Sequence, residues 1–216
     1  DRTGTYVSGA GDVNGDGLAD MLVSSYYSST TGLGKKNYVV FGKTDTTAIN
    51  LGTVAAGGAN AGGFAIDREA GGTFAELNIS NAGDVNGDGL ADLIVGDATS
   101  AGNTAGKSFV VFGKTNTTQV SLATVAAGGV NAGGFVINGE VAGDFSANVS
   151  NAGDVNGDGL ADLIVGGSGA NGGLGRMYVV FGKTDNAAIN LADVVMGKGG
   201  FALNGELTDR KSTRLN

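Results

Sequence analysis

The sequence contains no cysteine, no histidine and no proline. Without cysteine there can be no disulfide bonds and no thiolate metal sites. Without histidine the chain lacks the commonest general base and the usual zinc ligand, so catalysis could use only carboxylates, lysine, serine or tyrosine. Aromatic residues make up only 6% of the chain. Any strands must therefore pack through valine, isoleucine, leucine and smaller residues.

The chain also lacks an excess of basic residues and any long apolar run. There are 13 Lys and Arg residues against 21 Asp and Glu residues, which gives a formal net charge of −8. This balance argues against a nucleic-acid partner, because no basic stripe exists to meet phosphates. No apolar run approaches the ~18 residues needed to cross a bilayer, and no signal peptide heads the chain. We therefore expect no membrane span in this segment, and we interpret its start at Asp1 as a cut in a longer chain.

Glycine, by contrast, is abundant, and an eleven-residue motif recurs. The chain has 42 glycines, and its 41% hydrophobic residues are too many for a disordered chain. The string A-G-D-V-N-G-D-G-L-A-D occurs three times, with its first aspartate at Asp12, Asp84 and Asp154. The copies therefore begin 72 and 70 residues apart. Such a period indicates a repeat architecture.

Each repeat contains four runs of strand length. The motif lies between the first and second runs, the third run ends in Phe-Gly and the fourth begins with Gly-Gly-Phe. In the second repeat these runs predict strand A over about 76–82, strand B over about 91–96, strand C over about 108–113 and strand D over about 134–138. Strands B and C are apolar at consecutive positions, so both faces of the sheet must be covered.

A repeated sheet that is covered on both faces is typical of a β-propeller blade. The predicted fold is therefore all-β, with three four-stranded antiparallel blades and a short tail that does not match the repeat. The predicted boundaries are 1–70, 71–140 and 141–208 for the blades and 209–216 for the tail. A β-solenoid is the alternative, but its repeats are shorter than these.

The motif has the donor pattern of a calcium loop. Oxygen-bearing side chains stand at positions 1, 3, 5 and 9, glycine stands at position 6, and the carbonyl of position 7 is free to coordinate. Positions 1 to 6 match the start of an EF-hand loop, and calcium prefers six to eight hard oxygen ligands. Asp, Asn and Gly are also ordinary turn formers. Turn formation does not, however, explain three carboxylates at positions 1, 5 and 9 of every copy. Three calcium ions would reduce the formal charge from −8 to −2.

These strands and motifs resemble the FG-GAP repeat of integrin alpha-subunit propellers and their bacterial relatives. The resemblance covers nearly the whole chain, but the Gly-Ala-Pro element after strand B is replaced. Integrin-like propellers also have seven blades, so we expect this chain to be a fragment of a larger propeller of about seven blades. The resemblance implies one calcium ion per repeat, about three in all. The implied ligands are Asp12, Asn14, Asp16, Leu18 (carbonyl) and Asp20 in the first repeat; Asp84, Asn86, Asp88, Leu90 and Asp92 in the second; and Asp154, Asn156, Asp158, Leu160 and Asp162 in the third.

The resemblance also implies a function. It predicts a calcium-binding module at the cell surface or outside the cell, which serves adhesion or recognition of a protein or glycan ligand and is not an enzyme. Two alternatives stay open. The chain could be the non-catalytic propeller domain of a larger secreted enzyme, such as a phospholipase or another hydrolase. It could also be a glycan-binding, lectin-like propeller.

The strand order predicts where a ligand binds. In a blade ordered A-B-C-D the calcium loops and the C–D connections share one end, so we expect the ligand at the opposite end, where the B–C loops differ most. Only the first of these loops carries adjacent aromatic residues, Tyr26 and Tyr27, which are candidate ligand-binding residues. They could instead cover the blade edge. We also expect further blades of the same parent chain, or self-association, to cover the apolar faces of the first and last blades.

Overall fold

The computed structural model describes residues 2–26, 36–67, 77–97, 105–143 and 148–206. These residues form three stacked antiparallel sheets, in which the strand order follows the chain, and each sheet is one blade. Blade 1 consists of β1 (Arg2–Gly11), β2 (Asp20–Tyr26), β3 (Lys36–Val40) and β4 (Gly63–Asp67); blade 2 of β5 (Leu77–Gly83), β6 (Asp92–Asp97), β7 (Lys107–Val111) and β9 (Gly134–Asn138); blade 3 of β10 (Asn148–Gly153), β11 (Asp162–Gly167), β12 (Arg176–Val180) and β14 (Gly200–Asn204).

The all-β prediction and the A-B-C-D order are confirmed. In the second repeat the four predicted strands agree with β5, β6, β7 and β9 to within two residues at each end. The predicted tail, residues 209–216, lies outside the described residues. No helix in the described ranges is long and apolar enough to cross a membrane.

The C–D connections contain short elements that the strand-length runs did not predict. Each connection has a one- to two-turn helix, α1 (Leu51–Ala56), α2 (Leu122–Ala127) or α4 (Leu191–Val195), and the B–C connection of blade 3 has the irregular turn α3 (Ala170–Gly173). Five or six residues are too few to show a helical period in sequence. The Asn50 side chain accepts a hydrogen bond from the Gly52 N–H at 2.8 Å and so begins the first helix.

Two further strands of two residues each tie neighbouring blades together. β8 (Val120–Ser121) belongs to the C–D connection of blade 2 but pairs in parallel with β4 of blade 1. β13 (Ile189–Asn190) of blade 3 pairs in the same way with β9 of blade 2. Blades 2 and 3 therefore each add a fifth strand to the sheet of the blade before them.

Most of the hydrophobic core lies between blades. One cluster joins Phe64 and Ile66 of blade 1 to Leu93 and Phe109 of blade 2, and all four side chains are fully buried. A second cluster joins blade 2 to blade 3 in the same manner. The Phe of each Phe-Gly and the Phe of each Gly-Gly-Phe meet edge to face, with ring centroids 6.0–6.1 Å apart in the three blades. The recurring phenylalanines thus fix strand C against strand D.

The Gly-Gly-Phe sequence is required by the backbone at its second glycine. Gly134 has φ +154°, which is a region that residues with a Cβ rarely adopt. A Cβ at this position would also collide with the Val110 carbonyl oxygen of the neighbouring strand. The same φ and the same collision recur at Gly63 and Gly200.

Gly134→Ala should therefore lower the free energy of unfolding by about 2–3 kcal/mol, measured by urea denaturation. The adjacent Gly133→Ala is the matched control, because Gly133 has φ +65° but a Cβ there would meet no atom within 4 Å. We expect the control to cost about 1 kcal/mol. Equal losses for the two variants would contradict a collision at Gly134.

Candidate metal-binding loops

Each copy of the motif forms the loop between strands A and B. A register shift between Asn81 and Gly83 breaks strand A of blade 2 just before its loop, and the same irregularity occurs between Gly9 and Gly11 and between Asn151 and Gly153. Strand B then begins at position 9 of the motif. The three loops therefore lie at the same end of their blades.

The aspartate at position 1 folds the loop around itself. In blade 1, Asp12 Oδ1 accepts hydrogen bonds from the N–H groups of Gly15 at 2.7 Å and Asp16 at 3.1 Å. Its Oδ2 accepts from the Gly17 N–H at 2.9 Å. One carboxylate thus holds three consecutive backbone donors.

The side chains at positions 3 and 5 continue this pattern. Asn14 Oδ1 accepts from the Asp16 N–H at 2.9 Å, and Asp16 Oδ1 accepts from the Leu18 N–H at 2.8 Å. Asn14 Nδ2 also donates to Asp16 Oδ2 at 2.9 Å. The six hydrogen bonds recur in the other two loops with distances that agree to within 0.1 Å.

The aspartate at position 9 has a structural role that the sequence reasoning missed. Asp92 is fully buried. Its Oδ2 accepts from the Val85 N–H at 2.8 Å, and its Oδ1 accepts at 2.8 Å from the Gly113 N–H, just beyond strand C. Asp20 and Asp162 make the corresponding pairs of bonds in their blades. This carboxylate therefore ties the loop to the end of strand C.

The environment of Asp92 disfavours its negative charge. Burial raises the pKa of Asp92 to about 7, and the carboxylates of Asp88 and Asp84 raise it further, while the two backbone N–H groups it accepts from act in the opposite direction. Burial raises the pKa of Asp20 as well. A divalent cation in such a loop would favour the ionised carboxylates.

The donor set fits calcium by its chemistry, because every implied ligand is a carboxylate, an amide oxygen or a backbone carbonyl. The loops are not, however, closed around a common centre. In the described parts of the chain no three acidic side chains are gathered closely enough to hold a metal ion. The carboxylates point instead at backbone N–H groups, so ligation by positions 1, 5 and 9 together requires side chains to turn. The assignment of the fifteen ligands stays a prediction.

The loops also lie at the contact between blades. The Asp12 carbonyl accepts from the Ala91 N–H at 2.9 Å, and the Val13 carbonyl accepts from the Lys114 N–H at 2.8 Å. The Lys114 Nζ lies 4.3 Å from the ring centroid of Phe64, and burial lowers the pKa of Lys114 to about 8. We call this set of contacts, together with the parallel strand pair, the blade joint.

The same joint connects blade 2 to blade 3. The carbonyls of Asp84 and Val85 accept from the N–H groups of Ala161 at 2.8 Å and Lys183 at 2.9 Å. The Lys183 Nζ lies 4.3 Å from the Phe135 ring centroid. Within the described residues the carbonyls of Asp154 and Val155, in the third loop, make no such backbone bond.

The predicted ligand-binding tyrosines are not brought into any described site. Tyr26 is the last residue of β2, and its side chain and the whole of Tyr27 lie outside what the structure describes. Of the three B–C connections only that of blade 3 is described throughout, from Gly167 to Arg176. It lies at the end of the blade opposite to the metal-binding loop.

A polar cluster on blade 3 was also not predicted. The Arg176 guanidinium contacts both carboxylate oxygens of Glu140, and the Tyr178 hydroxyl donates to the same carboxylate at 2.6 Å. The cluster ties strand C of blade 3 to the link from blade 2. Arg176 stands where the other repeats have Lys36 and Lys107. This difference between lysine and arginine was the one sequence signal that could have identified the polar cluster.

The family model for the FG-GAP repeat matches residues 4–41 and 145–180. These segments cover strands A to C of blades 1 and 3, including their loops, and the second copy of the motif lies between them. No curated protein shows a significant match to the chain.

Proposed function

The chain carries FG-GAP repeats, at residues 4–41 and 145–180, and on this basis we propose that it is a calcium-binding β-propeller module that recognises a ligand outside the cell. FG-GAP repeats typically occur in extracellular propellers. The observation that carries the calcium proposal is the loop itself. Three copies have the same oxygen donors and the same hydrogen bonds to within 0.1 Å.

The loop residues would have different roles in binding an ion. The Asp12 carboxylate fixes the loop backbone, and the side chains of Asn14 and Asp16 supply further oxygens within a short segment. The Leu18 carbonyl and the Asp20 carboxylate would complete the set, and their counterparts would do so in the other two loops. Bound calcium would supply positive charge between carboxylates that otherwise repel one another.

We assign calcium a structural role, because each loop contacts the next blade as well as its own strands. The backbone of the first loop bonds to blade 2 at Ala91 and Lys114. Calcium that stiffens the loop would therefore stabilise the stack of blades. The loops are the same in all three repeats, which suits a shared scaffold role better than a catalytic one, and we propose no enzymatic activity for them.

We propose that the partner, a protein or a glycan, binds at the end opposite to the loops. The described B–C connection of blade 3 lies there, and the three B–C connections differ in sequence from blade to blade, as recognition loops on a rigid scaffold do. Tyr26 and Tyr27 stay candidates for this contact, since paired tyrosines are frequent at binding hot spots.

Equilibrium dialysis against calcium tests the proposed function. The chain should bind one ion per loop, three in all, and Asp88→Asn should remove one of them by neutralising a ligand of the second loop. Asp45→Asn is the matched control, because Asp45 is an exposed turn residue that pairs with Lys43 outside the loops. Saturation by three ions in the wild type and the control, and by two in Asp88→Asn, is expected. Absence of binding at millimolar calcium would refute the proposal.

A further inference from the structure

The dipeptide Asn-Gly occurs six times in the chain, at Asn14, Asn86, Asn138, Asn156, Asn171 and Asn204. Asparagine loses its side-chain amide most readily before glycine, because glycine has no side chain to shield the peptide nitrogen that attacks. To reach the asparagine Cγ, this nitrogen must move as the peptide group between the two residues turns. A hydrogen bond from the glycine N–H opposes that turn. What holds each glycine N–H therefore ranks the six sites.

In the three metal-binding loops a carboxylate holds the glycine N–H. The N–H groups of Gly15, Gly87 and Gly157 each donate to Oδ1 of the aspartate at position 1, at 2.7 Å. The asparagine side chain is held as well. Its Oδ1 accepts from the N–H of position 5, and its Nδ2 donates to the carboxylate of position 5, at 2.8–2.9 Å. Because hydrogen bonds to a carboxylate are among the stronger ones, the fold protects the asparagine of every loop.

Two further sites lie at the ends of strands D and are held by their sheets. Asn138 ends β9, and Asn204 ends β14. The glycine N–H after each of them donates to a backbone carbonyl, at 3.1 and 3.0 Å. Both side chains are bonded too, Asn138 to Asn190 at 3.0 Å and Asn204 to Arg176 at 2.7 Å. These sites are therefore restrained in the same two ways as the loops.

Asn171 lacks these restraints. It lies in the turn α3, in the B–C connection of blade 3, and has φ +55°, in the left-handed region. In the described part of the chain neither its side chain nor the Gly172 N–H makes a hydrogen bond. The Asn171 carbonyl accepts a long bond from the Leu174 N–H at 3.4 Å. A Cβ at Gly172 or Gly173 would meet no atom within 4 Å, so the turn has open space in which to move.

From this comparison we propose that Asn171 is a site of spontaneous deamidation, which the fold leaves open while it restrains the other five Asn-Gly sites. The Gly172 nitrogen attacks Cγ of Asn171, and the new N–C bond replaces the bond from Cγ to Nδ2. The proton of the Gly172 N–H goes to the leaving amide nitrogen, which departs as ammonia. Water then opens the five-membered succinimide ring at one of its two carbonyl carbons and leaves aspartate or isoaspartate at position 171.

Either product changes the B–C connection of blade 3. The new carboxylate changes the formal net charge from −8 to −9. Isoaspartate also lengthens the main chain of the turn by one carbon atom. Both changes fall at the end of the blade opposite to its metal-binding loop. The reaction needs neither a bound ion nor a ligand, so its outcome is independent of the proposed function.

Peptide mapping by mass spectrometry tests this inference on the whole chain after incubation at mildly alkaline pH. A protease that cleaves before aspartate places the sites in separate peptides, except that the three loops give one identical tetrapeptide and are read together. Peptides cut at a newly formed aspartate count as converted. Conversion at Asn171 should be about tenfold or more faster than in the tetrapeptide. The chain in concentrated urea is the control, and there all six sites should react at similar rates.

Two variants separate local restraint from general stability. Asn171→Gln should abolish the fast conversion, because its longer side chain cannot form the five-membered ring. Asp84→Ala removes the acceptor of the Gly87 N–H and should raise conversion at Asn86 about tenfold. Conversion at Asn138 should stay unchanged in this variant. If Asn138 also reacts faster, blade 2 has unfolded, and the ranking in the wild type decides.

Three results would overturn the proposal. The first is equal conversion at all six sites of the folded chain. The second is faster conversion in the loop tetrapeptide than at Asn171. The third is an Asn171 that stays intact while the chain in urea reacts. An unchanged Asn86 in a folded Asp84→Ala variant would contradict protection by the carboxylate.

Discussion

Removing calcium with EGTA should lower the midpoint of thermal unfolding of this chain by about 10–20 °C. Loops with three carboxylates and no bidentate glutamate are expected to bind calcium with a Kd of ~0.1 mM, and at ~2 mM calcium each such site adds about 1.8 kcal/mol to stability. Three sites together add about 5 kcal/mol. In a chain of this size, 1 kcal/mol changes the midpoint by about 2–4 °C.

The effect should extend beyond the loops because each of the first two loops is part of a blade joint. The carbonyls of Asp12 and Val13 bond to blade 2, and those of Asp84 and Val85 bond to blade 3. Without the proposed ion, repulsion among the loop carboxylates should loosen the backbone that presents these carbonyls. We therefore expect loss of calcium to weaken the packing between sheets together with the hairpins.

Thermal melts followed by circular dichroism, with calcium and with EGTA, measure this effect. Magnesium at the same concentration should restore little of the loss, since it demands a tighter and more regular ligand geometry than a flexible loop provides. The triple variant Asp16→Asn, Asp88→Asn, Asp158→Asn should melt at the same temperature with and without calcium. Superimposable wild-type curves in the two buffers would show that calcium does not stabilise the fold.

The repeat and its blades could be predicted from the sequence because the apolar runs are short, recur with one motif, and are bounded by glycine. What the sequence did not indicate is how one blade meets the next. Val120–Ser121 and Ile189–Asn190 are too short to be recognised as strands, and their partners lie in the preceding repeat. The half-exposed Val155 has the same neighbours in sequence as the buried Val13 and Val85. Only the stacking distinguishes them.

The loop residues could also be predicted, but only as oxygen donors in a pattern. The aspartate at position 9 was assigned to the ion alone, whereas the structure gives it two backbone donors. One donor is the glycine of Phe-Gly, which lies 22, 21 and 20 residues further along the chain in the three repeats. Since that spacing changes and the partners lie on different strands, no local pattern could have indicated the bond.

This second role predicts that Asp92→Ala destabilises the chain even when no calcium is present. In EGTA the variant should lose about 3–5 kcal/mol of unfolding free energy. The carboxylate is fully buried and accepts from the N–H groups of Val85 and Gly113, each at 2.8 Å. Alanine leaves both donors buried without an acceptor, and each such donor costs about 1–3 kcal/mol. This cost does not require Asp92 to be ionised, because a neutral carboxyl group also has acceptor oxygens.

Asp88→Ala is the matched control, because Asp88 is an exposed residue of the same loop, a proposed calcium ligand whose hydrogen bonds stay within the loop. In EGTA it should cost less than about 1 kcal/mol. In calcium both variants should also lose the proposed ion of the second loop, so both should fall further below the wild type in unfolding free energy. Asp92→Asn keeps one acceptor oxygen and should lie between the wild type and Asp92→Ala in EGTA. Urea denaturation of the four proteins in both buffers gives these values. If Asp92→Ala and Asp88→Ala were equally stable in EGTA, position 9 would act through calcium alone, because its bonds to Val85 and Gly113 would then contribute nothing.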